Sequence, residues 1–320
     1  MVPSLKENRS IMLSILYKKI FEEKWPSELG GVLLALLNTL MFLYSGPIAA
    51  TNAVIADWGR WIYNVALLNP QSVRFLQTSR YFPQSIMYIG LMLGVFLSAL
   101  FAKQFSLKRE KIGGYIQGFI GGALMGIGSF LAGACILGGL FSDIMGLSLS
   151  GFIMMAGLLA GAYIGGKFVM WQINRQADNL FGSDSCKVKT ASEDYIVRKN
   201  YRDIQPKIAI TVALLLLAII SVDTFNATGF PSAALVSGIL FGIVFQRSAF
   251  CFAAAFREIF LTRTTRMMRS LIISLLIGAA GFSIIMAAGL RPTEAYVFHT
   301  SGRILFGSLI FGFGMTITGG

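Results

Sequence analysis

Charge is the scarcest commodity in this sequence. Only 13% of its 320 residues are Asp, Glu, Lys or Arg, about half the share found in an ordinary soluble domain. Histidine occurs once, at His299, which excludes a His-rich metal site and a bis-histidine haem. The three cysteines, Cys135, Cys186 and Cys251, stand far apart with no CxxC pair. They are too few and too scattered for a disulfide framework. Carboxylates are nearly absent from the apolar runs, which argues against a di-metal centre or a proton-relay pump. There is no P-loop, so direct use of ATP by this chain is not expected. No residue set points to catalysis, a cofactor or a resident metal, and the chain does not read as an enzyme.

What fills the space is apolar. Hydrophobic residues make up 55% of the chain, and the mean hydropathy is +0.69. Several runs reach the roughly 20 residues that a bilayer crossing requires. They fall at Gly30–Tyr44, Pro47–Leu68, Ile86–Phe105, Gly118–Phe141 and Leu149–Trp171, then at Ile208–Val222, Ala233–Phe256, Ser270–Leu290 and Ile304–Gly320. The fold class predicted is therefore all-α, a polytopic membrane protein. The net charge of +12 does not suggest nucleic acid, because the Lys and Arg residues lie mainly between the apolar runs. That is the pattern of a protein oriented by cytoplasmic positive charge.

Residues 1–28 mix both charge signs around Ile11, Leu13, Ile15 and Phe21. This suits an amphipathic helix on the lipid surface better than a cleavable signal. Residues 172–207, rich in Asp, Ser, Lys and Arg, read as a polar connecting loop. The loop separates a first membrane repeat, 29–171, from a second, incomplete one, 208–320. An odd number of crossings in the first would make the two repeats inverted, as in many secondary transporters. Lys108, Arg109 and Lys111 would then be cytoplasmic, together with the 172–207 loop and Arg257, Arg263, Arg266 and Arg269. The stretches Ser142–Ser148 and Asp223–Ser232, without Lys or Arg, would be loops facing outward. The five basic residues of 1–28 disagree with this arrangement. If they lie inside, Gly30–Leu68 makes one crossing and a re-entrant turn, broken near Ser45, Gly46 and Pro47.

Glycine carries the repeat. Gly118–Leu140, GFIGGALMGIGSFLAGACILGGL, has a weaker copy at Ile304–Gly320, ILFGSLIFGFGMTITGG. An offset of 186 pairs Gly121 with Gly307, Gly126 with Gly312, Gly128 with Gly314 and Gly133 with Gly319. The counterpart of Cys135 falls one position past Gly320, and the native chain is expected to continue there with a cysteine. Gly118, Gly122 and Gly126 recur every four residues and share a helix face. One reading is close helix packing through small residues. The other is a broken helix, since glycine this dense disfavours a continuous one. A break would expose helix N-termini, whose partial positive charge favours an anion.

Cys135 lies inside this pattern, and Cys251 sits in FQRSAFCFAAAFRE. Isolated membrane cysteines are most often inert, behaving as small hydrophobes. A thiol is also a weak donor and a polarisable acceptor, able to meet a soft sulfur atom and release it. Arg247 precedes Cys251 by four residues and shares its face if the helix is continuous. Snorkelling or a bond to neighbouring carbonyls is one role for it, and attraction of an anion is the other. Asn52, Asp57, Trp58 and Arg60 occupy the loosely matched first-repeat counterpart, where Ala53 falls opposite Cys251. Cys186, in the polar stretch, has no assigned role.

GIGSFLAGACILGGLFS (126–142), FGIVFQRSAFCFAAAFREIFLT (241–262) and FGFGMTITGG (311–320) resemble the YeeE/YedE sulfur-transport family of bacterial inner-membrane proteins. The second motif is closest to the YedE branch, which is linked to selenium metabolism. The resemblance implies import of thiosulfate or a related small sulfur- or selenium-containing anion, with cysteines handing the substrate on through S–H···S contacts. By motif match Cys135 and Cys251 line the path, supported by Gly133, Ala134, Arg247, Gly319 and Gly320. It also implies a small TusA-like cytoplasmic sulfur carrier as partner. Two rival classes remain: a membrane thiol oxidoreductase, which would form a Cys135–Cys251 disulfide, and a non-transporting membrane subunit.

Overall fold

A computed structural model describes residues 24–46, 51–66, 82–103, 105, 112–181, 205–226, 232–291 and 302–318. Gly319, Gly320, Cys186 and most of the N-terminal amphipathic segment lie outside the described residues. Those described form helices and turns, with no strand among them. In chain order the helices are α1 (Ser27–Ser45), α2 (Thr51–Ala66), α3 (Phe82–Phe101) and α4 (Ile112–Ala132). A π-helical segment, Ile136–Ser142, runs directly into α5 (Asp143–Met145). Then come α6 (Leu149–Phe181), α7 (Gln205–Asn226), α8 (Ser232–Ser248), α9 (Phe252–Leu261), α10 (Arg266–Ala287) and α11 (Gly302–Ile317).

Among the described residues, six helical stretches are long and apolar enough to cross a membrane: Ser27–Tyr44, Phe82–Phe101, Ile112–Ala132, Leu149–Arg175, Ser232–Leu261 and Arg266–Ala287. Ile136–Met145 and Gly302–Ile317 are apolar but shorter. Large apolar side chains point outward from these helices, with Phe119 and Phe130 each 80% exposed. Lipid is the solvent that such surfaces require. The chain is a multi-pass, all-α membrane protein.

Two boundaries differ from the sequence expectation. Helix α6 continues past Trp171 to Phe181, into the stretch read as polar loop. Lys167 sits over the Tyr163 ring at 4.6 Å and Arg175 over Trp171 at 4.7 Å. These four-residue pairs support the helix where its apolar character fades. Ser142–Ser148 is likewise not an outward loop. Ser142, Asp143, Ile144 and Met145 are helical and buried, because the polar members find partners inside the protein, as described below.

The described helices fall into two compact units, each drawing on both halves of the sequence. The first unit holds most of α3 together with α7 and α8. There Gly90 faces the Leu235 carbonyl and Gly242 faces the Val95 amide, so that a Cβ on either would lie 2.5 or 2.7 Å from the partner backbone. Ser98 Oγ donates to Gln246 Oε1 at 2.8 Å along the same pair of helices.

The second unit holds the remaining helices. Its α1 and α10 run side by side in the same direction. Ser270 Oγ donates to Ser27 Oγ at 3.0 Å near the start of the pair. The Phe42 and Phe282 rings stack at 4.3 Å towards its end. Arg291 then donates to the Leu43 and Tyr44 carbonyls at 3.0 and 2.6 Å, covering the open end of α1. Helices α4 and α11 cross in opposite directions on four glycines. A Cβ on Gly121 would lie 2.8 Å from the Gly314 carbonyl, and one on Gly128 would lie 2.7 Å from the Gly307 carbonyl. The other face of α11 is pressed against α6, where a Cβ on Gly312 would lie 2.6 Å from the Leu158 carbonyl.

The Gly118, Gly122 and Gly126 face is not the packing face. A Cβ on any of the three would meet nothing within 4 Å. Packing uses Gly121 and Gly128 instead, two turns apart on a different face. Small-to-large changes should separate these two sets. Gly128→Val or Gly307→Val should destabilise the protein by about 1–3 kcal/mol or more through overpacking against backbone. Gly126→Ala should be neutral or slightly stabilising. Thermal unfolding of detergent-solubilised protein measures the difference.

Candidate functional site: two helix breaks capped by cysteine

Helix α4 stops at Ala132 because Gly133 turns left-handed, with φ 72°. The Gly133 amide closes the turn on the Phe130 carbonyl at 3.2 Å, an end for which glycine is favoured. Ala134 follows, buried. Cys135 is then extended, at φ −99° and ψ 178°, and forms the N-cap of the helix Ile136–Met145. Its carbonyl accepts the Gly139 amide at 2.7 Å. A Cβ on Gly139 would come within 2.5 Å of the Ala134 Cβ and 2.6 Å of the Met154 Sδ, so glycine lets the new helix start this close to the break.

The chain repeats the manoeuvre at its second cysteine. Helix α8 stops at Ser248, Ala249 takes φ 49°, and Cys251 is extended at φ −133° and ψ 118° as the N-cap of α9. The Cys251 carbonyl accepts the Ala255 amide at 3.1 Å. In both places a left-handed residue lies two positions before the cysteine. Neither thiol caps its own helix. The leading N–H groups of a helix have no intrahelical acceptor and carry the positive end of its dipole. Both thiols are free, Cys135 buried and Cys251 partly exposed.

One of the two sequence alternatives for the glycine-rich run is therefore realised: the helix is broken. The break at Ala249 corrects another expectation. Arg247 and Cys251 do not share the face of one continuous helix, because the helix ends between them. Arg247 lies in the last turn of α8, only 3% exposed, and its carbonyl accepts the Trp25 amide at 3.0 Å.

The helices begun by the two cysteines meet through Phe141 and Phe252, edge to face at 5.3 Å. The thiol of Cys135 faces another helix start. Thr51, the first residue of α2, donates its N–H to Cys135 Sγ at 3.1 Å, and Sγ donates to Thr51 Oγ1 at 3.1 Å. Farther along α2, Asp57 is buried and pairs with Arg60 at 3.6 Å.

The far end of Ile136–Met145 is held by buried polar groups. Asn38 Nδ2, midway along α1, donates to Ser142 Oγ at 3.3 Å and to Met145 Sδ at 3.1 Å. Asp143, 2% exposed, accepts from Ser150 Oγ at 2.9 Å. Its carbonyl accepts the Ser148 amide at 2.9 Å, which joins the short helix to the start of α6. Sequence reasoning passed over Thr51, Asn38 and Asp143. Asn38 was findable, being an amide inside an apolar run. Nothing in the sequence marks Thr51 as the neighbour of a residue 84 positions away.

These features describe a polytopic protein of the membrane, with thiols and buried polar groups gathered where its helices break. A family model described as "Sulphur transport" matches residues 3–164 and 247–320, well over half of the chain. The chain belongs to that family, and the matched segments contain both cysteine-capped breaks. It is 26% identical over 239 residues to "Probable transporter YedE" of Escherichia coli K12, a match covering 73% of this chain and 56% of that relative. The protein of the same name from Salmonella typhimurium is 23% identical over 306 residues, 92% of this chain and 73% of the relative. "Thiosulfate transporter TsuA" of Escherichia coli K12 is 34% identical over 88 residues, 28% of this chain and 25% of its own length. The chain thus spans little more than half of the E. coli YedE relative. No solved structure matches it.

The two breaks should respond oppositely to exchange of alanine and glycine. Gly133→Ala meets no neighbouring atom, yet a left-handed alanine costs about 1–2 kcal/mol. Ala249→Gly relieves the same strain and should stabilise by about 1 kcal/mol. Thermal midpoints of the purified variants report both signs.

Proposed function

We propose that this protein is a transporter importing thiosulfate or a related small sulfur-containing anion across the bacterial inner membrane. The path includes Cys135 and Cys251, with Gly133, Ala134 and Arg247 in support and Gly319 and Gly320 at the third motif. The observation that carries this reading is the repeated device. Each cysteine stands at the start of a helix, two residues after a left-handed turn, with its thiol not used as a cap. Helix starts supply fixed positive ends for an anion. The thiol adds a soft, weak donor that can release what it holds.

The four-glycine crossing supports an inverted duplication. Under the 186-residue offset, the pair Gly121·Gly314 becomes Gly307·Gly128, which is the other close pair of the same crossing. A two-fold relation between α4 and α11 would exchange the pairs in this way, and helices so related run antiparallel. The family description and the TsuA relative name sulfur, the YedE relatives name only transport, and none names selenium, so the substrate favoured is a sulfur anion. The family resemblance adds a TusA-like carrier as the cytoplasmic acceptor.

Cys135→Ala and Cys251→Ala should each reduce thiosulfate-dependent growth and radiolabelled thiosulfate uptake to background, with membrane expression unchanged. Wild-type uptake by either variant would remove that cysteine from the path. The oxidoreductase alternative instead requires the two thiols to bond. Mass spectrometry of non-reduced protein should find them free, as they are in the structure.

A further inference from the structure

We infer that Thr51 is a further residue of this path: it holds the Cys135 thiol between two hydrogen bonds and lets the S–H turn away when a soft anion arrives. The inference rests on the transport reading and adds to it a specificity-determining residue on another helix.

One residue grips both sides of the sulfur. The Thr51 N–H donates to Cys135 Sγ at 3.1 Å, and the thiol donates to Thr51 Oγ1 at 3.1 Å. A thiol has a single proton, and here it is directed at the threonine hydroxyl. To make an S–H···S contact with the terminal sulfur of thiosulfate, it must turn away from that oxygen. One neutral S–H···O bond is lost and one charge-assisted S–H···S⁻ bond is formed. No covalent bond changes, and the proton stays on Cys135. Charge-assisted hydrogen bonds are about twice as strong as neutral ones, so the exchange favours an anion and gives a neutral solute no advantage.

Thr51 is also placed to take the other end of such a guest. It is the first residue of α2, where backbone N–H groups lack intrahelical acceptors. Turning the S–H moves only its proton, so the Thr51 N–H stays on Sγ and the threonine hydroxyl is left beside the guest. That hydroxyl matches a sulfonate oxygen as the thiol matches the terminal sulfur. A guest bearing both sulfur and oxygen is thereby preferred over hydrosulfide, which lacks oxygens.

Thr51→Val removes the hydroxyl and keeps the shape and the N–H, while Thr51→Ser keeps the hydroxyl. The infrared S–H stretch of Cys135, isolated by subtracting the spectrum of the reconstituted Cys135→Ala protein, should lie at the hydrogen-bonded position in the wild type. It should move to the free position in Thr51→Val and return in Thr51→Ser. Adding thiosulfate should shift the wild-type band. The KM for thiosulfate uptake should rise about three- to tenfold in Thr51→Val, the worth of one hydrogen bond, with no rise for hydrosulfide, which gains no bond from the hydroxyl, and rescue by Thr51→Ser. If Thr51→Val fails to reach the membrane, Thr51→Ala makes the same comparison. A wild-type band at the free position, or one unmoved by the substitution or by thiosulfate, would overturn the inference, as would unchanged uptake kinetics. Normal uptake by Cys135→Ala would defeat the path reading instead, and the spectral comparison would still report the Thr51–Cys135 bond by itself.

Discussion

A backbone amide or carbonyl in lipid must find a partner, because no water is there to supply one. Interrupting a membrane helix therefore requires the rest of the protein to compensate. At the first break the Gly133 amide turns back onto Phe130 and the Cys135 carbonyl starts the next helix. Side chains secure what lies beyond. Asn38 reaches the short helix from α1, and Asp143 with Ser150 fastens it to α6. These polar groups are buried because each has a role in holding a segment that cannot hold itself. Their cost in an apolar interior explains why they are so few.

The close glycine crossings solve the complementary problem. Helices in lipid gain little from hydrophobic burial, so van der Waals contact between backbones must do more of the holding. The crossing of α4 and α11 brings carbonyls to within 2.7–2.8 Å of where a Cβ would stand. This fixes the last turn of α4, and with it the point at which the left-handed Gly133 begins the break. Packing and break are in this sense one design: a rigid α4 gives the interruption a fixed place.

Much of this was written in the sequence. The apolar runs are legible from composition, and the break within the glycine-rich stretch is one of the two readings that its glycine density leaves open. The glycine packing was assigned to the wrong face. The four-residue rhythm of Gly118, Gly122 and Gly126 is regular, whereas Gly121 and Gly128 become meaningful only once α11 is laid across them. The supposed Arg247–Cys251 face failed for a local reason. Ala249 is an ordinary helix former by propensity, and nothing in its type announces a left-handed turn. Thr51 was out of reach in principle, since its partner is set by tertiary structure alone.

The two cysteines share a backbone device but not an environment. Cys135 is 6% exposed and bound on both sides by Thr51, whereas Cys251 is partly exposed. Their turns differ as well, one made by glycine at no steric cost and the other by alanine with strain. A relay of two identical stations would have no reason to build them differently. On the transport reading, the enclosed thiol demands an exchange of hydrogen bonds before it accepts a guest, whereas among the described residues no such bond is seen at Cys251. A station that must give up one bond to form another discriminates between guests. The difference between the two thiols would thus place selection at Cys135, a role that two equivalent thiols would have to share.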